Sequence, residues 1–183
     1  AKAASFDCTK ATTETEIAIC ADPELSDLDE KLGKQWKKML PLFPTFDQIK
    51  WIAWRDKCDN SDCIEGAIKR RLSFLQEINK EIGQTNPLSC LVGSSNFNIY
   101  GNENGFHLLV IDGPDSFKKI RMSYETQGSG ICRYYDYSGF DGNTEINITE
   151  ESRCSSGEYP FQANLLAQVM IGSMSFDCLS VNN

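Results

Sequence analysis

A Ser–His–Asp arrangement in this sequence would have to recruit His107, its one histidine. That residue stands between Phe106 and Leu108 in an apolar run, and no serine occupies the sharp turn that exposes a nucleophile. His107 therefore reads as a partly exposed strand residue. Glycoside hydrolysis needs two carboxyl groups set across a sugar ring. Glu150 and Glu151 are adjacent instead, and neighbouring carboxylates at a strand end read as solvated. Zinc is disfavoured by spacing: there is no Cys-x-x-Cys, and His107 lies far from the closest cysteine pair, Cys58 and Cys63. No catalytic residue, metal site or cofactor site is singled out. The chain reads as a binding protein, not an enzyme.

Two segments carry contact chemistry. In Arg133-Tyr134-Tyr135-Asp136-Tyr137, strand alternation puts Tyr135 and Tyr137 on one face and Tyr134 on the other. Tyrosine gives large contact area at small entropic cost, so an exposed pair would make a protein- or glycan-binding patch. The alternative is that one face fills the core. The second segment is Ser155-Ser156-Gly157-Glu158-Tyr159-Pro160, a loop in which Ser156, Glu158 and Tyr159 offer a hydroxyl, a carboxylate and a phenol to a partner.

Eight cysteines frame these segments: Cys8, Cys20, Cys58 and Cys63, then Cys90, Cys132, Cys154 and Cys178. An even count divided evenly between two stretches of different composition reads as two independently stapled units in an oxidising compartment. Four cysteines permit three pairings, and the positions leave the choice open. The expectation for the first four is two bridges that tie the N-terminal arm and first helix to the turn at Cys58 and Cys63.

The elements around the first four cysteines are helical. Thr13 and Glu16 form a capping box. Asp22-Pro23-Glu24 supplies an N-cap, a proline in the first turn and a favourable carboxylate. Leu25, Leu28, Leu32, Trp36 and Met39 then make one apolar stripe ending before Pro41. A third helix opens at Thr45 and a fourth at Ser61 or Asp62, the latter carrying Ile64, Ile68, Leu72, Leu75 and Ile82.

After a polar stretch at 83–87 the texture changes. Phe97–Tyr100, Phe106–Ile111, Ile120–Tyr124, Ile131–Tyr137 and Glu145–Thr149 read as five strands, with turn pairs at Asp112-Gly113 and Asp141-Gly142. Phe161–Met170 is compatible with a helix or with one or two more strands. The fold expected is α+β: a disulfide-bonded antiparallel helical bundle over 1–84, then a small β-rich sandwich or barrel domain over 85–183.

The N-terminal residues resemble a known family. Ser5-Phe6-Asp7-Cys8, Lys10-Ala11, Glu16, Ile19-Cys20, Asp22, Leu25 and Leu28-Asp29, followed by Trp51, Arg55-Asp56, Cys58, Cys63 and the stretch from Arg71 to Leu75, are similar to the LprI-type lysozyme-inhibitor N-terminal domain. The match covers about residues 5–80, with Trp36 where the family pattern has tyrosine. It implies an exported helical domain and inhibition of lysozyme. The motif residues themselves read better as structure than as chemistry, with Arg55 placed to pair with Asp22 or Asp29. The Ser156-Gly157 loop resembles the Ser-Gly loop that other lysozyme-inhibitor families insert into the enzyme cleft, although its spacing to tyrosine differs.

Charge narrows the partner. The net charge of −8 disfavours nucleic acid and anionic membranes and would steer a basic protein such as a lysozyme-like enzyme or toxin. Residues 1–84 carry 13 basic and 15 acidic side chains and the rest 5 and 11, so the excess is mostly C-terminal. No apolar run reaches transmembrane length. With Ala1 first, the chain reads as a mature periplasmic or secreted bacterial protein, a lipid anchor on an upstream cysteine being left open. The favoured function is inhibition of a peptidoglycan-cleaving enzyme. Second stands an immunity or interaction protein for another toxin or envelope partner, and last a glycan-acting enzyme.

Overall fold

The computed structural model describes residues 4–40, 45–82, 88–128, 134–150 and 165–180. The chain divides into two units, Ala1–Gly83 and Gln84–Asn183.

In the first unit the helix starts follow the local chemistry. The Thr13 hydroxyl accepts from the Glu16 amide at 3.1 Å while the Glu16 carboxylate accepts from the Thr13 amide at 3.2 Å, opening α1 (Glu14–Ala21). Asp22 both ends α1 and caps α2 (Pro23–Met39), its carboxylate accepting from the Glu24 and Leu25 amides at 2.8 and 3.3 Å. Helices α3 (Thr45–Arg55) and α4 (Ser61–Ile82) follow. Ile64, Ala67, Ile68, Arg71, Leu75, Ile78 and Ile82 recur at helical spacing and form the buried side of α4, along which α2 packs.

Two ion-pair networks hold this unit. The Ser5 amide and hydroxyl both donate to Asp29 Oδ2, at 2.8 and 2.5 Å, and Arg55 Nη1 lies 3.6 Å from Asp29 Oδ1. The same guanidinium donates to Asp56 Oδ1 from Nε and Nη2 at 2.9 and 2.7 Å. The arm passes so close to α2 that a Cβ on Gly33 would sit 2.5 Å from Ser5 Cβ. In the second network Arg71, fully buried, pairs with Asp47 and donates to Gln48 Oε1 at 3.2 Å. Its guanidinium also lies 5.5, 5.8 and 5.4 Å from the ring centres of Trp36, Trp51 and Phe74.

The disulfides here are local. Cys8 joins Cys20 and Cys58 joins Cys63, with Cα separations of 5.8 and 5.5 Å. The expected bridges from the arm to the Cys58–Cys63 turn are therefore corrected. Ser5, Asp29 and Arg55 link the arm to α2 and the end of α3 instead.

The second unit contains β1 (Leu88–Val92), β2 (Ser95–Asn102), β3 (Gly105–Ile111), β4 (Phe117–Gln127), β5 (Tyr134–Asp141), β6 (Thr144–Glu150), β7 (Leu165–Ile171) and β8 (Met174–Ser180). Each pairs antiparallel with the next, and β1 pairs with β8, closing a barrel. The β5–β6 turn needs a residue in the left-handed region, supplied by Gly142 at φ 61°. Inside, Phe97, Ile99, Leu108, Ile120, Met122, Ile146, Ile148 and Val169 fill the core, as an eight-stranded barrel's width allows. Cys90 and Cys178, 88 residues apart, form a bridge in that core and fasten β1 to β8.

Along β4, Ile120 and Met122 are buried while Lys119, Arg121, Ser123 and Glu125 are exposed. An apolar interior with a charged exterior is the reverse of a membrane-spanning barrel with a polar lumen. No described helix is long and apolar enough to cross a membrane.

The fold expected from sequence, a helical bundle followed by a small sandwich or barrel domain, is corrected. The dominant architecture is a closed eight-stranded antiparallel barrel, and of the four described helices two are short. Eight-residue α1 and eleven-residue α3 are too short to run beside α2 and α4 as equal members of a bundle. Closure rests on a β1–β8 pairing that local patterning does not display.

Candidate functional site

One end of the barrel is built from the start of β3, the end of β4, the start of β5 and the end of β6. Cross-strand register sets Phe106 opposite Met122, Tyr124 opposite Tyr137, and Tyr137 opposite Ile148. Alternation then points Phe106, Tyr124, Tyr135, Tyr137 and Glu150 inward at that end. Glycine at 101 leaves room for Phe106, since a Cβ there would lie 3.2 Å from the ring.

The four rings form a connected cluster. Phe106 lies 4.5 Å from Tyr124, 6.2 Å from Tyr135 and 5.4 Å from Tyr137, measured between ring centres. Tyr135 lies 5.7 Å from Tyr124 and 5.9 Å from Tyr137. Tyr137 is buried, Tyr135 half-buried, and Tyr124 is 50% exposed, so the cluster runs from core to solvent. Large aromatics open to water at one edge are the side chains that dominate binding surfaces.

Among the described residues, the carboxylate of Glu150 joins the cluster. Tyr137 donates its phenolic hydrogen to Glu150 Oε1 at 3.0 Å. Burial, and then the neighbouring Glu150 charge, push the Tyr137 phenol well above its usual range. Among the described residues the mouth thus combines four aromatic rings with the acceptor carboxylate of Glu150.

The sequence-based candidates fall as follows. Tyr135 and Tyr137 share the inward face, contributing to the barrel mouth and core, not to an outward patch. The side chain of Tyr134, and Ser156, Glu158 and Tyr159, lie outside the described residues, as do Cys132 and Cys154. Phe106 and Tyr124 are not singled out by the sequence, and Glu150, read there with Glu151 as a solvated carboxylate, is instead part-buried and accepts from Tyr137. Their strands were legible, but only cross-strand register brings them to the same end. His107 is buried, not partly exposed, and stacks on Tyr100 with ring centres 5.6 Å apart.

Two concavities are found in the barrel unit, and Phe106 and Tyr124 of the mouth cluster line the larger one. A groove of about 700 Å³ lies against β3, β4 and β5, bordered by Arg121, Ser123, Ser138 and Phe140. A cavity of about 330 Å³ at the opposite end is lined by Phe97, Val110, Ile146 and Phe176 beneath the Lys118–Asp141 ion pair. Neither brings together a nucleophile, a base and a donor pair. Comparison of the chain with protein-family models, curated proteins and solved structures returns no match.

Proposed function

We propose that the chain is an exported binding protein that inhibits a lysozyme or a related peptidoglycan-cleaving enzyme, with the barrel mouth as its contact surface. The observation that carries this reading is the Phe106–Tyr124–Tyr135–Tyr137 cluster, held on strands and opening to solvent at Tyr124. Aromatics fixed on a closed barrel lose little freedom on binding, so contact area translates efficiently into affinity. Three described disulfides suit a periplasmic or secreted site. The net charge of −8 complements a basic enzyme and would accelerate its encounter.

The resemblance of residues 5–80 to the LprI-type domain supports the same reading. Its motif residues Ser5, Asp29, Arg55 and Asp56 are engaged with one another, so they serve the scaffold and leave contact to other surfaces.

The test is clearing of a cell-wall suspension by several lysozyme types with increasing full-length chain. Near-stoichiometric slowing of at least one type is expected, and no slowing of any would overturn the proposal. Capture of a different toxin from the native envelope, with lysozymes unaffected, would instead establish the immunity reading.

A further inference from the structure

We infer that the cavity at the end of the barrel opposite the mouth binds a small aliphatic ammonium ligand, its alkyl chain among the inner-face apolar side chains and its head beside Asp112; this goes beyond the inhibitor reading and does not depend on it.

Strand alternation gives this site an apolar body and a charged rim. The cavity, about 330 Å³, is bounded by Val92, Phe97, Val110, Ile146, Ile171 and Phe176. An apolar cavity of about 150 Å³ holds a benzene ring, so this volume accommodates a chain of about eight carbons. On the inner face of β4, Lys118 stands two residues before the buried Ile120 and opposite Val110. On β5, Asp141 stands two residues after Gly139, which faces the buried Met122. Lys118 Nζ meets Asp141 Oδ2 at 2.8 Å, and both side chains are exposed, so the apolar cavity opens to water through a polar rim. The turns at this end, 93–94, 112–116, 142–143 and 172–173, lie wholly within the described residues.

Rim charge selects the head of the ligand. Of the residues that line the cavity, Asp112, Lys118 and Asp141 are the charged ones, two carboxylates against one ammonium. The Asp141 bond and charge, and then the charge of Asp112, hold the Lys118 ammonium above the ordinary lysine range, so both carboxylates act on the same cation. One negative charge is left over. Asp112 accepts from the Ser116 hydroxyl at 3.3 Å, a bond that does not neutralise it. A carboxylate head would have to displace Asp141 from Lys118 and would then meet Asp112. An ammonium head meets Asp112 with the Lys118–Asp141 pair intact. The excess of acidic side chains in the C-terminal segment, 11 against 5 basic, favours the same head.

The experiment titrates the full chain with octylammonium, 1-octanol and octanoate, each below its micelle concentration, while methyl resonances are followed by NMR. Saturable shifts of the Val92, Val110, Ile146 and Ile171 methyls are expected. Octylammonium should bind tightest, 1-octanol about two- to fivefold more weakly and octanoate more weakly still. In Asp112→Asn, at an exposed position, octylammonium should lose that advantage while 1-octanol binds as before. No saturable shifts at these methyls, octanoate binding as tightly as octylammonium, or equal affinity for all three heads would each overturn the inference, and this series needs no variant. Undiminished octylammonium affinity in a folded Asp112→Asn chain would overturn it too. Lysozyme clearing is measured separately: inhibition without octylammonium binding leaves the inhibitor reading standing and this inference fallen, and binding without inhibition does the reverse.

Discussion

Tyr137 and Glu150 are joined across neighbouring strands by a 3.0 Å hydrogen bond at the barrel mouth, the phenol donating to the carboxylate. The pairing makes stability sensitive to alkali. An unfolded tyrosine ionises near pH 10, whereas burial and the Glu150 charge raise the folded-state value of Tyr137. The native state therefore holds a proton that the unfolded state has lost. This contribution is complete below pH 10 and declines as pH rises above it toward the folded value. Urea unfolding between pH 8 and 11 should show the decline, and Tyr137→Phe should flatten it.

The Cys90–Cys178 bridge should be the most stabilising of the three described. It spans 88 residues, against 12 for Cys8–Cys20 and 5 for Cys58–Cys63. On the chain-entropy account its loss costs about 4–5 kcal/mol. Replacing both Cys90 and Cys178 with alanine should abolish or sharply weaken the cooperative unfolding of the barrel, followed by near-ultraviolet tyrosine signals. Replacing Cys58 and Cys63 should leave that transition nearly unchanged.

Arg71 should tolerate no substitution cheaply. Arg71→Ala leaves Asp47 without its cation and opens space beside Trp36, Trp51 and Phe74. A loss of about 3 kcal/mol is expected. Arg71→Lys keeps the charge but not the planar fork, and should recover only part of that loss. Thermal melting followed by far-ultraviolet dichroism measures both.

Gly139 is a packing requirement on β5. A Cβ there would lie 2.5 Å from Met122 Sδ and 2.7 Å from the Arg121 carbonyl oxygen. Gly139→Ala should cost about 1–3 kcal/mol in urea unfolding. Shortening Met122 to alanine in the same chain should not restore stability, because the backbone carbonyl remains in the way.

Local chemistry was legible in the sequence where its cause is local. The Thr13–Glu16 capping box and the Asp22-Pro23 start are written in adjacent residues, and α1 and α2 begin there. Barrel closure was not, because it rests on Leu91 meeting Leu179 across most of the barrel unit. Strand β1 is only five residues long, and β7 overlaps the Phe161–Met170 stretch, whose apolar spacing also suits a helix. Alternation separated Tyr134 from Tyr135 and Tyr137 but did not say which face was buried. That choice was made by Phe106 and Tyr124 arriving beside Tyr137 from two other strands.

The central claim, that the barrel mouth is the inhibitory contact, is tested most directly by comparing the full chain with Tyr124→Ala in lysozyme clearing assays at equal concentrations. Tyr124 is half-exposed, so folding should be retained, and its loss should weaken inhibition by about tenfold or more. Undiminished inhibition by a folded Tyr124→Ala chain would contradict the account.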